Sequence, residues 1–144
     1  MNLKHKRTIK FRSWCPSRLK MIYDYEMPPH ESFNLKPGDS IHNLIWRIGN
    51  DNETLMQHTG LKDKNGVEIY EGDIIVWSGT LDDCIFNHVC EVIFDLYQWC
   101  GCAIYSPQQK STIPFGEHGC NPNEVNVVGN VYENKELLYL LDKQ

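Results

Sequence analysis

The chain contains no run of about 18 apolar residues, so none of it reads as a membrane-spanning helix, and no membrane partner is expected. It also lacks GxGxxG, a P-loop, GxSxG and HExxH, which removes the usual sequence support for dinucleotide binding, phosphoryl transfer, serine hydrolysis and zinc proteolysis. No catalytic signature is present, and the expectation is a protein that is not an enzyme. The start, MNLKHKRTIKFRSW, has neither an apolar stretch nor a small-residue cleavage site; it is not a secretory signal, and a cytoplasmic protein is expected. There is no fixed-period repeat and no low-complexity tract. Residues 1–20 hold no acid at all.

The charge that is present is unevenly spread. Lys4, Lys6, Arg7, Lys10, Arg12, Arg18 and Lys20 all fall in the first twenty residues. Removing those seven from the fourteen bases leaves seven against nineteen acids in residues 21–144, a balance of −12. The body therefore repels phosphates while the leader attracts them, unless the leader lies along the body and screens it.

With 144 residues, 41% of them apolar, the chain suits one domain or a domain with a small appendage, and its core needs no disulfide staple. The six cysteines, Cys15, Cys84, Cys90, Cys100, Cys102 and Cys120, are read as reduced thiols.

Turn-punctuated alternation dominates the chain. TIKFRSW (8–14) places Ile9, Phe11 and Ser13 against Lys10, Arg12 and Trp14, a strand with one polar face; KMIYDYE (20–26) alternates again, and Pro16 turns between them into a hairpin. Residues 27–40 hold three of the seven prolines and read as a loop. Residues 41–53 fit helix or strand equally. In the middle, LMQHTGLKDKNGVEIYEGDIIVW (55–77) carries a hairpin turn at Asp63-Lys64-Asn65-Gly66 and a second turn at Glu71-Gly72-Asp73, each with a glycine free to take positive φ. IIVW (74–77) reads as a strand covered on both sides. Strands follow at 88–94, 98–105, 111–115 and 125–132, with Gly129 where a bulge or sharp corner is tolerated, and ENKELLYLL (133–141) suits a short helix with Leu137, Leu138 and Leu141 on one side. Short strands with little helix argue for a mainly β fold, a small barrel or sandwich.

The middle segment, together with IKFRSW near the start and EVNVVGNVYENKELL near the end, resembles the YopX family of phage- and prophage-encoded proteins. The resemblance covers most of the chain. It implies a mainly β fold with a small SH3-like barrel; joined to the strands read above, this gives an N-terminal β-hairpin and loop region in residues 1–53 and a partly open barrel domain in residues 54–144 that includes the short C-terminal helix, one compact unit in all. Thr59, Gly60, Asp63, Asn65, Gly66, Tyr70, Glu71, Gly72, Asp73, Gly129 and Asn130 are its motif residues, in structural roles. It carries over no catalytic or ligand-binding residue.

Three constellations remain. His88-x-Cys90, Cys100-x-Cys102 and His118-x-Cys120 are i, i+2 pairs that a strand would present on one face, and zinc takes such ligands in fours, although structural sites prefer wider gaps. The alternative packs Cys90, Cys100 and Cys102 in the core and leaves His88 and His118 in loops. No other cofactor is implied. A calcium loop at Asp63 fails, because its glycine comes fourth and Ile74 stands where the closing Glu belongs. Glu68, Glu71 and Asp73 flank a turn and are expected in solvent, which suits them poorly for acid–base work. Aromatics are plentiful; Trp77 and Trp99 are expected in the core and Trp14 and Trp46 partly exposed. Together these features favour an interaction module with a protein partner, with two alternatives: a nucleic-acid accessory protein using residues 4–20, or a zinc-stabilised module. Homo-oligomerisation stays open.

Overall fold

Alternating side chains become strands wherever a turn lets the next run pair back. The computed structural model describes residues 10–23, 54–81, 84–95, 97–106, 109–116 and 119–143, and among these the chain forms nine β-strands. The leader before Lys10, the proline-rich loop 27–40 and the ambiguous stretch 41–53 lie outside the described residues. Two units are present, Met1–Gly60 and Leu61–Gln144. The division falls inside a strand, a few residues beyond the 53/54 boundary expected from sequence.

In the first unit, β1 (Phe11–Cys15) and β2 (Lys20–Tyr23) form the expected antiparallel hairpin, with Arg12 opposite Tyr23 and Cys15 opposite Lys20. The other edge of β1 pairs with β3 (Thr54–Lys62), placing Phe11 opposite Gln57 and Trp14 opposite Thr54. Cys15, Met21 and Met56 are buried there. Arg12 departs from its expected place on a polar outer face: it is only 2% exposed, with its guanidinium 6.0 Å from the centre of the Tyr23 ring. Its aliphatic stem is buried along the strand, and the ring face accepts the charge.

The second unit adds β4 (Glu68–Tyr70), β5 (Asp73–Leu81), β6 (Cys84–Asp95), β7 (Gln98–Ser106), β8 (Gln109–Pro114) and β9 (Val125–Asn130). The five longer strands make an antiparallel sheet in the order β8-β7-β6-β5-β9, curled as a half-barrel. Opposed residues share a face, so the register sets Ile75, Cys90 and Val92 on one side. They pack with Ile69, Cys120 and Val125 into the core, rimmed by Trp77, Trp99, Ile113, Phe115 and Val127. Ile74, of opposite parity, is also fully buried, so β5 is covered on both faces at this end, as its unbroken apolar run predicts.

The bulge falls where Gly129 suggested. Ile74 pairs with Gly129 and Ile75 with Val127, leaving Val128 as the extra residue. Only a glycine fits at 129, because a Cβ there would come within 2.5–2.8 Å of the Asn134 side chain. The terminal helix, Lys135–Lys143, is of 3-10 type and contacts β6 and β7; Leu138 is buried, Leu137 half-buried and Tyr139 exposed. Among the described residues no helix is long and apolar enough to cross a membrane.

Candidate functional site

The patterned middle segment serves the backbone. Asp63 Oδ1 accepts from the N–H groups of Asn65 (2.8 Å) and Val67 (2.9 Å), which closes the β3–β4 turn at Gly66. Its Oδ2 accepts from Val127 N (3.0 Å), far along the chain in β9. Lys64 N donates to Val125 O (3.1 Å) and Asn65 Nδ2 to Asn126 Oδ1 (2.7 Å), so the whole turn is laced to β9. Burial alone would push the Asp63 carboxyl up; the N–H groups of Val127, Val67 and Asn65, helped by Lys64, outweigh it and hold the group below its ordinary value.

The second turn works the same way. Asp73 Oδ2 accepts from Tyr70 N (2.7 Å), while Gly72 donates to Val92 O and accepts from Val131 N, both at 2.9 Å. Asp73 is 2% exposed, which corrects its expected place in solvent; Glu68 and Glu71 are half-buried. The reason is local: a carboxylate that caps a turn's N–H must follow that turn into the sheet. Asn130 ends β9 in kind, its Oδ1 accepting from Tyr132 N and Glu133 N and its Nδ2 donating to Glu133 Oε2. Thr59 is buried and Gly60 has φ +87°.

The described His and Cys candidates do not gather as one ligand set. His88 and Cys90 lie on β6, with Cys90 opposite Ile75; Cys100 and Cys102, on β7, stand opposite Ile93 and Glu91. Since neighbours along a strand alternate, Cys90 faces the core side and the Cys100/Cys102 pair the other. Cys120 belongs to the core cluster, and His118 lies outside the described residues. Among the described residues no three His, Cys, Asp or Glu side chains gather as metal ligands. His88 is not in a loop: it sits within β6, half-buried, with its ring 5.8 Å from that of Trp77 opposite. Burial, with Cys102 nearby, pushes the Cys90 thiol up to about 12, and burial with Cys90 and Glu124 nearby does the same for Cys120. At pH 8 each then carries about a thousandfold less thiolate than an unfolded cysteine. Alkylation followed by mass spectrometry is expected to label Cys90 and Cys120 at least about 100-fold more slowly in the native chain than in urea.

Of the basic candidates, Lys4, Lys6 and Arg7 lie outside the described residues, Arg12 is buried and Lys10 half-buried. Arg18 and Lys20 are exposed at the β1–β2 tip. Between them Leu19 is 77% exposed with φ +49°.

The aromatics give the other surface. Trp77 and Trp99 rim the core as expected, Trp14 is half-buried, and Trp46 lies outside the described residues. Trp77 Nε1 donates to Glu124 Oε2 (3.1 Å). Sequence reading passed over the β6–β7 tip, where Asp95 pairs with Gln98 and only two residues connect the strands. There Tyr97 is 97% exposed at φ +67°, and Phe94, 55% exposed, stands edge-on to Trp99 with ring centres 5.0 Å apart. The signal was available: a two-residue connection normally calls for Asn or Gly, and this one is Leu96-Tyr97. Leu61, Phe115, Gly116, Asn121, Pro122 and Asn123 line an open cavity of about 440 Å³.

These features define a small, mainly β protein assembled largely from consecutive hairpins, with its two most exposed large apolar side chains among the described residues, Tyr97 and Leu19, at hairpin tips. The sequence model of the YopX family, described as YopX protein, matches residues 10–139, and the chain belongs to that family of phage and prophage proteins. Among solved structures it is similar to protein EF1440 from Enterococcus faecalis, at 24% identity over 92% of this chain and 99% of that one, with a TM-score of 0.49. No curated protein matches it.

Proposed function

We propose that this member of the YopX family is a non-enzymatic module that binds a protein partner in the cytoplasm of the phage's host, using the aromatic β6–β7 tip. The observation that carries this reading is Tyr97. A left-handed backbone costs an ordinary residue roughly 1 kcal/mol or more, and a side chain 97% exposed recovers none of that within the fold. Glycine or asparagine would serve the turn better, so the tyrosine is explained by something outside the chain. Phe94 beside it, braced by Trp99, supplies a rigid second anchor, and such aromatic pairs are common energetic centres of protein interfaces. The curled, hairpin-built sheet is consistent with an SH3-like naming, and it leaves this tip projecting from two consecutive long strands.

The test is an affinity pull-down from phage-infected lysate, with and without nuclease, comparing the wild-type chain with Tyr97→Asn and Phe94→Ser. A partner that survives nuclease and binds the Tyr97→Asn chain about 30-fold more weakly, the effect of one hot-spot residue, is the expected result. Equal recovery by both variants, or a partner set that disappears with nuclease, would overturn the reading.

A further inference from the structure

The two hairpin tips differ in charge. Residues 1–60 hold nine bases and six acids, with every acid beyond residue 20, whereas residues 61–144 hold thirteen acids and five bases. Arg12 is turned into the fold over Tyr23, so the cations available at the β1–β2 tip are Arg18 and Lys20. The tip itself is held by backbone bonds from Arg18 N to Cys15 O (3.3 Å) and from Leu19 N to Pro16 O (3.4 Å), with Cys15 Sγ 3.3 Å from Ser17 Oγ. These bonds keep Leu19 at the apex, 77% exposed and in a left-handed conformation that leucine ordinarily avoids.

We propose that the β1–β2 tip is a contact for duplex DNA, with Arg18 and Lys20 on backbone phosphates and Leu19 entering the minor groove as an apolar wedge. Charge complementarity selects an anionic partner, since residues 1–20 carry seven bases and no acid. The single apolar residue selects among anionic partners. One leucine buries apolar area worth about 2 kcal/mol, far short of the acyl chain that a polybasic segment needs beside it for stable anchoring on a bilayer. In B-form DNA the minor groove is about 6 Å wide, enough for one side chain between two phosphate-bound cations, and proteins that bend DNA insert leucine there. The minor groove of duplex RNA is wide and shallow and gives a wedge no grip.

The experiment is fluorescence anisotropy of the full chain on a labelled 20-base-pair mixed-sequence duplex between 50 and 200 mM salt. The probes for comparison are the matched RNA duplex and vesicles containing phosphatidylserine. The wild-type chain is expected to bind the DNA with a steep salt dependence. The double variant Arg18→Ala, Lys20→Ala removes two phosphate contacts and lowers the slope by about 1.8, so that the fourfold rise in salt costs about tenfold less affinity. Leu19→Asn keeps a residue that tolerates the left-handed backbone; it weakens DNA binding severalfold, leaves the slope unchanged and erases the preference for DNA over RNA. All three side chains are exposed, so unchanged thermal melting of each variant shows that the fold is intact. Absence of DNA binding by the wild-type chain, or a slope unmoved by the double variant, overturns the proposal. Leu19-dependent binding to vesicles in place of DNA overturns it equally and assigns the tip to an anionic lipid surface.

Discussion

Replacing Asp63 by alanine is expected to lower stability by about 3–5 kcal/mol, the largest effect of any single change considered for this chain. The carboxylate is 5% exposed and accepts three backbone N–H bonds, two within its own turn and one from β9. Alanine leaves all three donors without their acceptor in a place water reaches poorly, and it removes one of the three bonds that lace the turn to β9. Urea denaturation of wild type and variant measures the loss; a difference under 1 kcal/mol would show that the three bonds are readily replaced. The same carboxylate predicts an acid transition. Its native pKa lies below that of the unfolded chain, so its contribution is fully present above about pH 4, the ordinary aspartate value, and is lost as pH falls through the native value. Stability measured from pH 6 down to pH 2 is expected to fall more steeply for wild type than for Asp63→Ala.

Gly119→Ala is the second large effect, expected to cost about 2–3 kcal/mol. A Cβ at this position would lie 2.2 Å from the carbonyl oxygen of Pro114 and 3.3 Å from its carbon. Because that oxygen belongs to the backbone, relief requires the chain to move. The same carbonyl accepts from Cys120 N (2.8 Å), and Phe115 and Cys120 form a parallel bridge beside it. Pushing the segments apart thus breaks a bond and loosens Cys120, a fully buried member of the core. A thermal melt read beside Gly101→Ala provides the comparison: a Cβ at 101 meets the Cys90 Cβ at 3.2 Å, a side-chain contact that smaller adjustments relieve, and the milder loss is expected there.

What could be read in advance was whatever a few adjacent residues decide. The turns at 63–66 and 71–73 were legible because Asp, Asn and Gly act on N–H groups two to four residues away, and the glycines take the positive φ expected of them. Strand positions followed from alternation, and the bulge from a glycine in an otherwise β-branched run. Registry was not legible. That Asp63 reaches Val127, that Arg12 faces Tyr23, and that Cys90 and Cys102 fall on opposite faces all depend on which residues become opposed across strands. His88 was open to two readings, the start of a strand at 88–94 or a loop, and β6 decides for the strand by beginning at Cys84 and pairing His88 with Trp77. The Pro16 turn was legible, but the exposure of Leu19 and Tyr97 was not: neither residue is a customary turn former, and their exposure is a property of the hairpin, not of the residue.

The order of strands in the five-stranded sheet also has a temporal meaning. From β5 through β8 each strand lies beside its successor, so three hairpins can zip together with short loops and little entropy lost in closing them. β9 alone must return across the intervening chain to find β5, guided by the Asp63 carboxylate waiting at its far edge. The loop-closure cost leads us to expect that it docks last, after the rate-limiting barrier. Damage to its seam, at Asp63 or Val127, should appear in kinetics as faster unfolding with refolding almost unchanged.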